Sequence, residues 1–221
     1  MTAIVGETGA GKSTIVNLVC RFYDPNEGQV LIDGRDARER SRLWLHSHIG
    51  YVLQTPHLFN GTVLENLRYG RPDASMERVE KAVHAVHADE LIARLEDGYN
   101  SPVGEGGNLL SAGERQLISF ARALTADPAI LILDEATGSV DTMTEKAIQE
   151  AAAETAKGRT TFVIAHRLST IRNADRILAV KDGRIVEQGT HEELMNRNGY
   201  YRQLYMRQFI RKETEKAMAA V

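Results

Sequence analysis

The sequence predicts a mixed α/β protein: a mainly parallel sheet core at residues 1–61 and 126–208, interrupted by an α-helical lobe at 62–125. Three observations carry this reading. Short apolar runs alternate with helical segments on both sides of 62–125, the order that builds a parallel sheet covered by helices. ILILD (130–134) and TTFVIA (160–165) are continuous apolar runs, as in strands buried on both faces. From Thr62 to Thr125 the helical period dominates, so that stretch reads as a lobe inserted into the core.

The elements follow in order. TAIV (2–5) is a strand-like run ending at glycine, and Lys12 to Phe22 reads as a helix. QVLID (29–33) and IGYVL (49–53) are expected strands, separated by the polar stretch GRDARERSR. The helical lobe breaks at GRPDAS and at DGYNSPVGEGGN, where glycine and proline punctuate the pattern. After ILILD comes a polar helix at about 141–157, then the strand TTFVIA. RILAV-KDGR-IVEQ reads as a hairpin turning at Asp182-Gly183. The tail from Gly199 is helical, and 209–221 is expected to be a solvated end.

Composition limits the partners. The 221 residues can bury one sizeable core, and a formal net charge of −3 leaves no overall basic footprint for nucleic acid. The single cysteine, Cys20, cannot form an intramolecular disulfide and reads as a buried, reduced thiol of a cytosolic compartment. No stretch approaches the roughly 18 consecutive apolar residues of a membrane helix.

The chemistry begins at Gly6-Glu7-Thr8-Gly9-Ala10-Gly11-Lys12-Ser13, which fits G-x-x-x-x-G-K-[ST] between a strand and a helix. Glycines let backbone N–H groups curl around phosphate oxygens. The helix N-terminus adds partial positive charge, Lys12 adds a full one, and the Ser13 hydroxyl can ligate Mg²⁺. An ordinary glycine-rich turn is the plainer alternative, but chance gives such a match on the order of 1 in 100 in this length.

ILILDEAT supplies the carboxylate that such a metal needs. Asp134 ends a buried apolar strand, where a lone charge is costly, and Glu135 beside it is what an attacking water needs as base. Taken alone, the pair also fits a strand end meeting solvent. LLSAGERQLISFARAL has two readings. Ser111 with Glu114 makes a capping box, while Gly113 in the first turn costs helix stability and suggests a second anion site behind Ser111. Two such sites far apart in one chain suggest a nucleotide clamped between two subunits. His84 and His87 stand at i,i+3 without an obvious third ligand and read as surface residues. Trp44 and the Phe22-Tyr23 pair read as packing.

From residue 1 to about 208 the sequence closely resembles the nucleotide-binding domain of an exporter-type ATP-binding cassette (ABC) transporter. Six motifs in order carry the resemblance: GETGAGKST, the glutamine loop at Gln54 (YVLQTPHLFNGT), LSAGE (110–114), ILILDE, GSVD (138–141) and His166 in TFVIAHRLST. NGTVLENLRYGRPDAS and PVGEGG resemble the exporter branch.

The resemblance implies a P-loop NTPase-like core, with ATP and Mg²⁺ as cofactors. Gly6, Glu7, Thr8, Gly9, Ala10, Gly11, Lys12, Ser13 and Thr14 would line the phosphates. Ser13, Gln54 and Asp134 would hold the metal. Glu135 would orient the attacking water, His166 would contact the γ-phosphate, and Gln54 would sense the membrane domain. Ser111 and Gly113, with Glu114 beside them, would face the nucleotide of the opposite subunit, and Asp141 would act across the dimer. Glu105 would touch a transmembrane partner.

Implied partners are a second nucleotide-binding domain, identical or not, and a transmembrane domain. The implied place is the cytoplasmic face of the cell membrane. A soluble ABC ATPase acting on DNA or ribosomes would instead show a long coiled-coil insert or a basic face.

Departures from the family pattern are Ala112-Gly113-Glu114 where Gly-Gly-Gln is usual, and Gly138 where serine is common. The adenine-stacking aromatic and the antiparallel strands around it normally precede the phosphate loop. The chain is therefore expected to be the rear part of a larger protein, with the N-terminal antiparallel β part largely missing.

Overall fold

The computed structural model describes residues 1–134, 142–165 and 167–219. The described elements begin with β1 (Thr2–Val5), α1 (Lys12–Val19), β2 (Leu31–Ile32), β3 (Arg35–Asp36), α2 (Arg42–Ser47) and β4 (Ile49–Val52). Next come α3 (Val63–Arg68), α4 (Met76–Ala85), α5 (Asp89–Arg94), α6 (Ala112–Ala126), β5 (Ile130–Asp134), α7 (Thr142–Ala156) and β6 (Thr160–Ile164). The chain closes with α8 (Leu168–Arg172), β7 (Arg176–Lys181), β8 (Arg184–Gly189), α9 (His191–Asn196) and α10 (Tyr200–Ala219). They form two compact units, Met1–Glu39 with Phe162–Val221, and Arg40–Thr161.

In the first unit β1 lies between two parallel neighbours. Ala3 sits opposite Val163 of β6 and Ile177 of β7, and β8 returns antiparallel to β7. Successive side chains of a strand point to opposite faces, so the burial of Ala3, Ile4 and Val5 in a row means that both faces of β1 are covered, which is why this run can be apolar. Burying each large aliphatic side chain contributes about 1.5–3 kcal/mol. The expected hairpin is present. Asp182 (φ 49°) and Gly183 (φ 74°) both take left-handed backbone, as a two-residue turn matched to the strand twist requires.

α1 ends earlier than the apolar pattern suggests. Arg21 takes φ 53° and the Phe22 N–H donates to the Asn17 carbonyl, turning the chain out of the helix. Phe22 and Tyr23, expected to pack, are instead 53% and 44% exposed. Cys20 is buried as expected, and burial pushes its thiol up to about 11, which leaves it almost wholly protonated and inert at neutral pH. QVLID yields only the two-residue strand β2, paired with β3 through Asp33 and Gly34. α9 and α10 join through Tyr201, which is buried and bonds His191 Nδ1 through its hydroxyl at 2.6 Å.

In the second unit β4 and β5 run parallel, with Gly50 opposite Leu131 and Val52 opposite Leu133. α6 packs against α3, α4 and α7, which explains why Leu117, Ile118, Phe120, Ala121 and Ala123 are all buried. At its C-terminus Asp127 takes φ 54°. The Asp127 carboxylate lies 2.8 Å from Arg159 and 2.9 Å from Arg78. Partial burial raises the carboxyl's pKa, but hydrogen bonds from Arg159 and Arg78 outweigh this and hold it below the ordinary range.

Sequence reading missed α2. It starts where the polar stretch ends, with the Ser41 hydroxyl accepting from the Trp44 N–H at 3.1 Å. Trp44 itself stacks on His48 under the Arg40 guanidinium. Among the described residues no helix is long and apolar enough to cross a membrane.

Candidate functional site

The loop joining β1 to α1 is shaped by backbone. Gly9 (φ 80°) and Gly11 (φ 104°) occupy the left-handed region that side-chain-bearing residues resist. Gly6 is required for a different reason: a Cβ there would stand 2.4 Å from the Val180 carbonyl oxygen of β7. The Ala10 N–H donates to the Glu7 carbonyl at 3.1 Å, and the Gly183 N–H donates to the Ala10 carbonyl at 2.9 Å.

α1 starts at Lys12 behind Gly11, which has no side chain to cap it, and its first turn carries no acidic residue. Its leading N–H groups and dipole therefore favour an anion. Lys12 is 7% exposed, and its Nζ donates to the carbonyls of Gly6 and Glu7 at 2.9 Å each. The ammonium thus sits within the curl of the loop, while Ser13 and Thr14 are exposed beside it. Backbone donors, a helix terminus and a held ammonium together can grip several phosphate oxygens.

Gly6→Ala is expected to weaken binding of inorganic triphosphate about tenfold or more. The methyl must displace either the loop or β7, and overpacking of this kind costs about 1–3 kcal/mol. Titration of both proteins checks it, and an unchanged affinity would show that the loop's position does not set the grip.

In the second unit Asp134 is the last residue of β5, and Gln54 is exposed two residues beyond β4. Because the strands are parallel and in register, both lie at the carboxyl end of the pair, where open α/β sheets bind ligands. Glu135, Asp141 and His166 lie outside the described residues.

Ser111 and Glu114 form the expected capping box. The Ser111 hydroxyl accepts from the Glu114 N–H at 3.3 Å, and a Glu114 carboxylate oxygen accepts from the Ser111 N–H at 2.9 Å. Arg94 lies 3.4 Å from that carboxylate. Glu114 is thus turned onto its own helix terminus, while Gly113 is buried in the first turn.

Two arginines escaped the sequence reading. Arg115 Nη1 donates to the carbonyls of Leu110 (2.5 Å) and Gly107 (3.3 Å), tying PVGEGG to α6. Arg122 donates to the His57 carbonyl at 3.2 Å and lies 5.7 Å over the Phe59 ring, which stacks on Tyr69. Arg122 has no local sequence signal, since its partner His57 lies 65 residues away; Arg115 bonds carbonyls 5 and 8 residues before it, in an irregular loop whose path no short pattern gives. The loops at 54–62 and 101–107 run side by side: Val63 N–H bonds the Ser101 carbonyl and Val103 N–H the Gly61 carbonyl, both at 3.0 Å. Leu53, Phe59, Tyr69 and Leu109 are 39–64% exposed, and Glu105 is exposed as well. His84 and His87 are exposed and face Asp89 and Glu150.

A family model described as ABC transporter matches residues 1–138. The probable multidrug resistance ABC transporter ATP-binding/permease protein YheH of Bacillus subtilis is 56% identical over 203 residues, 92% of this chain and 30% of its own. The ATP-dependent lipid A-core flippase of Photorhabdus laumondii is 51% identical over 210 residues, 95% of this chain and 36% of its own. A solved bacterial Atm1-family ABC exporter with ATP bound superposes with a TM-score of 0.86 at 47% identity. That match covers 94% of this chain and 36% of that one. The chain spans about a third of the length of the curated relatives it matches.

Proposed function

This chain belongs to the ABC transporter family, and on that premise we propose that it is the ATP-binding and ATP-hydrolysing motor part of an exporter. The observation that carries the reading is the phosphate loop, with Gly9 and Gly11 in left-handed backbone and the Lys12 ammonium held inside the curl.

In this reading Gly6 to Thr14 wrap the phosphates, and Lys12 exchanges its two carbonyl partners for phosphate oxygens. Ser13, Gln54 and Asp134 would hold Mg²⁺. Their donors are all oxygen, which suits a small hard cation, and Ser13 is exposed at the helix start. When bound, the ion neutralises charge on the phosphate oxygens. Glu135 orients the attacking water and takes its proton, and His166 contacts the γ-phosphate.

A second such domain would complete each site with Ser111 and Gly113, and Asp141 would act across the pair. The exposed, stacked Phe59 and Tyr69 rings, on a segment whose loop pairs with the one carrying Glu105, support docking of a transmembrane partner at the cytoplasmic face of the membrane.

The test is phosphate release from ATP. The chain is expected to release phosphate with Mg²⁺ present and to stop when EDTA removes it. Undiminished release in EDTA would count against metal holding by Ser13, Gln54 and Asp134.

A further inference from the structure

We propose that Arg207 on α10 is a positioning residue for nucleotide binding, neutralising Glu7 within the phosphate loop and bracing that loop together with the β7–β8 turn. The inference rests on the phosphate-loop reading above. Arg207 Nη1 lies 2.9 Å from Glu7 Oε1, a contact between residues 200 apart in sequence. Glu7 is not a bystander in the loop, because its carbonyl accepts from Lys12 Nζ at 2.9 Å. A bare carboxylate on that residue would repel the phosphate oxygens that Lys12 attracts; the guanidinium cancels it.

A second path joins α10 to the same loop. The Tyr200 hydroxyl donates to the Val180 carbonyl at 3.4 Å, and Lys181 Nζ lies 5.5 Å over the Tyr200 ring. That Val180 oxygen is the one Gly6 approaches so closely, and Gly183 in the same turn donates to Ala10. Tyr200 and Arg207 are seven residues apart, about two helical turns, so one face of α10 carries both contacts.

The Arg207 and Glu7 side chains are 70% and 59% exposed, so the pair is screened by solvent and its effect is expected to be modest.

The experiment is a double-mutant cycle on the full chain, read as ATP affinity by titration. At low salt Arg207→Ala is expected to weaken ATP about two- to fivefold. The loss should largely vanish in a Glu7→Gln background and at about 1 M salt, where charges are screened beyond roughly 3 Å. Arg207→Lys should recover most of it. A merely structural role for Arg207 would respond to neither the Glu7 charge nor salt. Parental affinity in Arg207→Ala overturns the inference, as does an equal loss in the Glu7→Gln background. Lys12→Ala separates the levels. If it binds ATP like the parent, the phosphate-loop reading itself fails; if it loses ATP while Arg207→Ala does not, this inference alone fails.

Discussion

Lys12→Ala is expected to weaken ATP binding on the order of 100-fold while leaving the chain folded. The ammonium is the full positive charge held within the loop, where it donates to the Gly6 and Glu7 carbonyls at 2.9 Å. Hydrogen bonds to charged groups are worth about 1.5–3 kcal/mol each, and a loss near 3 kcal/mol corresponds to roughly 150-fold in affinity. Alanine leaves the helix intact because it is the best helix former. Isothermal titration with ATP measures the loss, and circular dichroism confirms the fold. The two carbonyls that Lys12 serves belong to a loop still held by Gly9, Gly11 and the Gly183–Ala10 bond, so a collapse of the whole first unit is not expected. Unchanged affinity in a folded variant would remove Lys12 from the phosphate grip.

Glu135→Gln is expected to have the other large effect, on turnover instead of binding. The amide keeps the shape of the side chain but cannot take a proton from water. Loss of such a base lowers rates about 100- to 10,000-fold. The phosphate loop is untouched, so ATP should stay bound and a nucleotide-closed dimer should accumulate. Size-exclusion chromatography in Mg-ATP would show the dimer, and a phosphate-release assay the lost turnover. Full hydrolysis by the variant would take Glu135 out of the catalytic role. The two substitutions are thus expected to separate the grip from the chemistry: losing Lys12 should cost nucleotide binding, and losing the Glu135 carboxylate should cost cleavage of nucleotide that is still bound.

Much of the fold is legible because its signals are local. The parallel strands appear as apolar runs, and β1 is buried between β6 and β7 as such a run requires. The Asp182-Gly183 turn follows from two residues that tolerate positive φ. The capping box at Ser111 needs only a serine and a glutamate three positions apart. What was not legible has no such short pattern. α2 has a serine cap at Ser41 but no acid three positions on, and its six residues, with Leu45 buried, are too few to show a helical period. QVLID shrinks to Leu31–Ile32 because its partner is its own neighbour, Arg35–Asp36, which leaves room for two pairs.

The sequence alone determined that a phosphate loop sits between a strand and a helix, and that the candidate metal ligand Asp134 ends a buried strand. Both are matters of spacing within a few residues, where backbone geometry and side-chain chemistry act directly. Tertiary structure alone decided the contacts that hold the loop in place. Gly6 must be glycine because Val180, far along the chain, brings its carbonyl oxygen to where a Cβ would stand. Glu7 is paired with Arg207 because α10 carries that arginine to it across 200 residues. No window of sequence carries these pairings, since electrostatic and steric contact depends on distance in space, and folding sets that distance independently of separation along the chain.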